Sequence, residues 1–257
     1  MSITQADIAY FTALRHELHK IPELAYDEHQ TAKRIAKELD EIGVKYDSGI
    51  GGTGIVAWIT KGSSRRAIAL RADMDALPIT EESGVEYPSE HQGKMHACGH
   101  DGHSVMLLAA AKNIKESLEF DGTVYLIFQP AEEGGAGAKA MIEDGLFDRY
   151  SFDRIYGMHN RPSALLGEFF IKSGPVMTST DIWKVVVRGK SGHSSQPHRA
   201  INPIVVASHI VLAIKEISSL DIDPAQAHVV SVAQIESGIA FNIVPDICTI
   251  EGSIRAF

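Results

Sequence analysis

Apolar positions set the first outline. Over residues 5–20, Ile8, Phe11, Leu14 and Leu18 recur at helical spacing. Pro22 stops that helix, and a second, over 27–43, ends at Gly43, a residue suited to a helix C-terminus. The runs 54–60 ("GIVAWIT") and 66–74 ("RAIALRADM") read as strands. A helix over 104–118, a strand over 122–129, a short helix over 137–147 and a strand over 154–160 follow. Helices alternating with short apolar strands predict an α/β unit whose mixed, largely parallel sheet is flanked by helices. Near residue 175 the character shifts. Residues 181–190 alternate as a strand, 201–220 form a long helix, and 227–238 and 245–257 form two further strands. That order predicts a smaller α+β sandwich over 178–257, incomplete because a split βαβ unit needs another helix and strand. The larger unit is expected over 1–177. There are no internal repeats.

Composition and charge narrow the function classes. A formal net charge of −9 with no basic cluster excludes a nucleic-acid partner. Cys98 and Cys248 lie far apart, which argues against a disulfide framework. Met1 leads into polar residues, so no signal peptide is expected. No apolar run approaches the roughly 18 residues of a membrane span. The expectation is a reduced, soluble, cytoplasmic protein.

The chemistry concentrates in "HACGHDGH", residues 96–103. Taken alone it reads as a metal site, as a nucleophilic Cys98 with His100 as base, or as a polar loop capping a helix. Three strand ends add ionisable groups: Asp73 and Asp75, Glu132 and Glu133, and His159 with Asn160. Open α/β sheets bind ligands beyond the carboxyl ends of their strands. Parallel strands would therefore gather Asp75, Cys98, His100, Glu132, Glu133 and His159 in one cleft. Imidazole, thiolate and carboxylate together suit zinc, nickel, cobalt or manganese. A mixed, dispersed set fits a catalytic site with open positions better than a closed structural zinc site. Glu133 could bridge two ions about 3.5–4 Å apart, leaving Glu132 as a general base. Acidic neighbours argue against the nucleophile, because a thiolate prefers electropositive surroundings.

The ordered motifs "LRHELHKIPEL", "RADMDALPI", "MHACGHDGH", "FQPAEEGGAGA", "GMHN", "GKSGHSSQPH" and "FNIVPD" resemble the aminoacylase/carboxypeptidase-like metallopeptidase family. Within it they are most similar to the hippurate hydrolases, N-acyl-amino-acid amidohydrolases and auxin-conjugate hydrolases. The resemblance implies one or two divalent transition-metal ions (Mn, Zn, Co or Ni) on Cys98, His100, Glu133 and His159. It makes Glu132 the general base and Asp75 the residue that orients a ligand. It places His193 and Asn242 at the substrate, on a small lid domain that also forms a homodimer. His193 would reach the partner's site and steady the oxyanion. From the residues alone, His193 and Asn242 read as turn residues. His96 and His103 receive no metal role, and His16, His19 and His198 are assigned to packing or surface.

The implied substrate is an N-acyl amino acid, and a dipeptidase or a carbamoyl-amino-acid hydrolase would use similar groups. Relatives are expected to continue well past residue 257, completing the lid and supplying a further histidine ligand. That expectation leaves open a non-catalytic metal- or ligand-binding fragment.

Overall fold

The computed structural model describes residues 3–220, 222–223 and 227–257. Of residues 1–7, which carry the expectation of no signal peptide, Met1 and Ser2 lie outside the described residues. The chain divides into two compact units, Met1–Ala164 and Leu165–Phe257. The expected boundary after residue 177 falls inside the second.

The first unit opens with helices α1 (Gln5–Lys20) and α2 (His29–Ile42). Thr4 caps α1, accepting the Asp7 N–H while the Asp7 carboxylate accepts the Thr4 N–H, so two orphan donors are satisfied reciprocally. Phe11, Leu14 and Leu18 are buried, whereas Ile8, on the first turn, is exposed. The first free N–H groups of α2 go to Glu23, whose carboxylate accepts from Gln30 and Thr31. Gly43 ends α2 in the left-handed conformation, φ +75°.

The strands are β1 (Lys45–Ile50), β2 (Gly54–Lys61), β3 (Ala67–Asp73), β4 (Gly122–Gln129) and β5 (Arg154–Gly157), in spatial order β1-β2-β4-β3-β5. Helix α3 (His100–Glu116) lies between β3 and β4 in sequence, and α4 (Gly137–Glu143) and α5 (Leu146–Arg149) follow β4. The β3–β4 and β3–β5 ladders are parallel, but β1–β2 and β2–β4 are antiparallel, so the sheet is mixed and not largely parallel. The apolar pattern missed β1 because "KYDSGI" is mostly exposed and polar. It pairs with β2 through a glycine turn at Gly51 and Gly52.

Alternation along the strands divides the core. Ile55, Ala57, Val124, Leu126 and Phe128 face α1, α2 and α3. Val56, Ala69 and Ile127 face Met141 of α4, Leu146 of α5 and Tyr150. Helices thus cover both faces, as buried parallel strands require. The expected helix over 137–147 is two pieces, broken at Gly145 with φ +87°. The strand expected over 154–160 stops at Gly157, leaving His159 in a loop.

The second unit contains β6 (Asp181–Arg188), β7 (Gly192–His193), a 3-10 turn (Pro197–Arg199), α6 (Pro203–Leu220), β8 (His228–Ser237), β9 (Ile243–Val244) and β10 (Ile247–Ala256). An antiparallel sheet runs β6-β10-β8, and β7 pairs with β9. Ala207 of α6 is buried with Cys248 and Ile250 of β10, flanked by Trp183, Val185 and Val232. Gly252 makes this packing possible: any Cβ there would overlap the Ser231 carbonyl and the Trp183 ring. The strand expected over 245–257 is β10, which begins at Ile247, after Pro245 and Asp246 separate it from β9.

Candidate metal centre

Three parallel neighbours, β4, β3 and β5, deliver their carboxyl ends to one edge of the sheet. Asp73 ends β3, with Asp75 two residues on. Glu132 and Glu133 follow β4, and His159 follows β5. The octapeptide is not a loop ahead of a helix that starts at 104. Gly99, at φ +92°, takes the N-cap position, and its carbonyl accepts from Gly102 and His103. The helix therefore begins at His100. That extra turn puts His100 and His103 three residues apart on one face, ring centroids 5.4 Å apart.

The His100 ring is fully buried, and its Nδ1 lies 3.2 Å from Asp75 Oδ1. The other Asp75 oxygen accepts the Glu133 main-chain N–H at 2.9 Å. Burial opposes ionisation of Asp75, but the His100 hydrogen bond and the Glu133 and Glu132 N–H groups hold its carboxyl below the ordinary value. An ionised Asp75 fixes the His100 proton on Nδ1 and leaves Nε2 as the outward donor atom. His100 Nε2 is buried without a hydrogen-bond partner among the described residues, 3.7 Å from Asp73 Oδ2 and 3.9 Å from an oxygen of both Glu132 and Glu133.

Three groups of donor atoms that include His100 lie within 4.8 Å of one another: Cys98, His100 and His159; His100, Glu132 and Glu133; and Asp73, His100 and His103. Cys98 Sγ is 3.4 Å from His159 Nε2. Burial first, then Glu133, pushes the Cys98 thiol up to about 12. Such a thiol is a poor nucleophile, and a bound cation deprotonates a coordinating thiol outright. An orphaned buried imidazole nitrogen amid thiol, imidazole and carboxylate fits a transition-metal ion. Glu132 is the more accessible of the glutamates, its side chain 41% exposed against 24% for Glu133.

The glutamate loop is tightly determined. Ala131 and Ala136 sit at positive φ, 51° and 55°, and a Cβ at Gly137 would overlap the Pro130 carbonyl. Fully buried Glu28 accepts the Ala131 N–H at 2.8 Å and the Thr53 hydroxyl at 2.5 Å. It thereby holds the loop from the start of α2.

In the second unit, the β7–β9 ladder brings two distant motifs side by side. His193 pairs with Ile243, and the Ser194 N–H donates to the Asn242 carbonyl at 3.0 Å. Both His193 and Asn242 are exposed, and His193 Nδ1 lies 2.8 Å from Ser195 Oγ.

Several buried polar residues escaped the reading of the sequence. Asp101 takes Arg15 Nε at 2.9 Å and His19 Nδ1 at 2.8 Å, while His19 Nε2 reaches Glu81 at 3.2 Å. This ties α1 to the first turn of α3. His16 stacks on Tyr87, in keeping with a packing role. His96 is buried with neither ring nitrogen bonded among the described residues, and burial pushes it down to about 4. Gly99 ahead of His100 and His103 was the available signal for the helix start. Glu28 and Asp101 had none, because their partners are remote in sequence.

No helix among the described residues is long and apolar enough to cross a membrane. Residues 69–246 match the peptidase family M20/M25/M40. The chain is 47% identical to hippurate hydrolase of Campylobacter jejuni over 246 residues, covering 96% of this chain and 64% of that protein. It is 43% identical to N-acetyl-L-cysteine deacetylase of Bacillus subtilis over 245 residues, covering 95% and 58%. The chain thus spans less than two thirds of the length of these relatives. The Bacillus subtilis YXEP protein, a dinuclear metal binding peptidase from the M20 family, superposes with a TM-score of 0.79 at 34% identity, covering 99% of this chain and 65% of that one. The chain belongs to peptidase family M20/M25/M40.

Proposed function

We propose that this chain acts as a metal-dependent amidohydrolase, cleaving N-acyl amino acids, hippurate-like or N-acetylated, to a carboxylic acid and a free amino acid. The observation that carries this reading is His100: buried, bonded through Nδ1 to Asp75, its Nε2 left among Cys98, His159, Glu132 and Glu133. Cys98, His100, Glu133 and His159 are the proposed ligands for one or two ions of Mn, Zn, Co or Ni. A cation held there supplies Lewis acidity toward a water and toward the amide carbonyl.

The remaining work falls to the chain itself. Glu132 takes the proton lost by the attacking water and passes it to the amide nitrogen as the C–N bond breaks. Its partial exposure leaves it accessible to that water. Asp75 keeps the His100 ring oriented through its Nδ1 contact. We assign residues 1–177 to the catalytic domain and 178–257 to a lid that dimerises. On that lid His193 serves the developing oxyanion in a partner's site and Asn242 contacts substrate. These lid assignments rest on resemblance, supported by the adjacency of the two motifs across the β7–β9 ladder. The substrate class is supported by the relatives' names, hippurate hydrolase and N-acetyl-L-cysteine deacetylase.

The test is chelation. Turnover of hippurate and N-acetyl amino acids should vanish on metal removal, return with Zn or Mn, and resist thiol alkylation of the loaded protein. Turnover that survives chelation but is lost on alkylation would establish Cys98 as nucleophile instead.

A further inference from the structure

A line of polar groups, buried at Gln129, Asp73 and His103, leads to the proposed ligand His159, and the reaction above makes no use of it. Arg71 Nε donates to Gln129 Oε1 at 2.9 Å, and Arg71 Nη1 donates to Asp73 Oδ2 at 2.7 Å. The other Asp73 oxygen lies 2.6 Å from His103 Nδ1. His103 Nε2 meets Asn160 twice, 2.5 Å from its Oδ1 and 3.1 Å from its main-chain nitrogen. The main-chain oxygen of Asn160 then lies 2.8 Å from His159 Nδ1. Asp73 and His103 are both almost wholly buried.

His159 needs such support. It stands in an exposed loop after β5, a four-residue strand at the sheet edge. His103, by contrast, stands on the first turn of α3, anchored on the end of β3, an interior strand flanked by β4 and β5. The imidazole at 103 spans the gap between strand end and loop because its two nitrogens point to opposite sides. Its ring also stands edge-on to that of His159, centroids 4.5 Å apart. Gly99 closes the other side of Asn160, where a Cβ would meet the side-chain oxygen at 2.7 Å.

The geometry points to His103 as a positioning residue: anchored on Asp73, it clamps Asn160 and so aims His159 Nε2 at Cys98 and the proposed cation site. The inference rests on the proposed role of His159 as a ligand. Partners of a ligand that fix its ring typically change metal affinity by about 10–100-fold when removed.

Cobalt(II) alone, titrated into the metal-free chain, tests it. The readouts are affinity, the d–d absorption bands and the cobalt–thiolate band. His103→Ala should weaken cobalt binding about 10–100-fold, with d–d bands moved toward those of His159→Ala and the thiolate band of Cys98 retained. The double variant should bind no more weakly than His159→Ala, because His103 acts through His159. His103→Asn keeps a donor for Asp73 while giving up the reach to Asn160. It should also weaken binding, and it serves if the alanine variant fails to fold. Unaltered binding by both His103 variants, beside a weakened His159→Ala, overturns the clamp alone. Fully additive losses overturn it too. Unaltered binding by His159→Ala overturns both the ligand reading and the clamp.

Discussion

As text, "MHACGHDGH" of the first unit and "GKSGHSSQPH" of the second are close kin: short, polar, rich in histidine and glycine. Their physical standing differs. In the first, His100 is bonded to Asp75, His103 to Asp73 and Asn160, and Asp101 to Arg15 and His19, every partner coming from another element. Most of these groups are buried. In the other segment, exposed His193 bonds to Ser195, two residues away. Low dielectric strengthens each bond in the buried segment and makes each unpartnered atom costly. The orphaned His100 Nε2 is informative for that reason, whereas an exposed imidazole carries no such message. A site is recognised by what burial obliges its residues to do, not by which residues it contains.

Breaking each segment should therefore give different signatures. The largest effect is expected at the proposed base: Glu132→Gln should cut turnover by about 10²–10⁴-fold while metal content is unchanged. Near-wild-type turnover would remove Glu132 from that role. Next comes the buried support of the same loop. Glu28→Ala strands the Ala131 N–H and the Thr53 hydroxyl, so unfolding free energy should fall by about 1–3 kcal/mol, read by urea denaturation. An unchanged midpoint would show that the loop does not depend on Glu28.

A smaller, pH-dependent effect is expected at His19. The Asp101 hydrogen bond raises its pKa above 6.5, overcoming burial, with Glu81 adding to the rise. Asp101 and Glu81 are lowered from 3.8 and 4.5, each against its own burial, through partners that include His19. A raised histidine stabilises fully below its unfolded value and loses that contribution as pH rises through the folded value. Lowered carboxylates stabilise above their unfolded values and lose this as pH falls. His19→Gln should therefore destabilise most between about pH 4.5 and 6.5, and the gap to wild type should narrow at higher pH. Melting curves across pH would check this, and a gap that widens with pH would contradict it. The smallest structural effect is expected in the exposed segment. His193→Ala should leave melting temperature and metal content unchanged while lowering turnover, and a fall in metal content would contradict its proposed place away from the ligands.

Much of this was legible from spacing. The helical period of Phe11, Leu14 and Leu18 and the two-sided burial along "GTVYLIFQ" reflect local rules that act within a few residues. Strand ends carrying Asp75, Glu133 and His159 pointed to one sheet edge, where the parallel β4-β3-β5 ladders bring them together. What stayed hidden depends on pairs far apart in the chain. The polar, exposed strand β1 is legible only through its pairing with β2. His103 acquires its partners only because α3 starts at His100 and β5 lies beside β3.

By itself, then, the sequence determined the period of each major helix and strand, the donor atoms available, and the motifs that mark peptidase family M20/M25/M40. The tertiary structure alone decided which donors are buried and which nitrogen of His100 is left without a partner. It also separated Asp73 and Asp75, two residues apart, onto two different histidines. Spacing along the chain is a local property, whereas desolvation and the sharing of hydrogen bonds are properties of residues that meet only when the sheet is assembled.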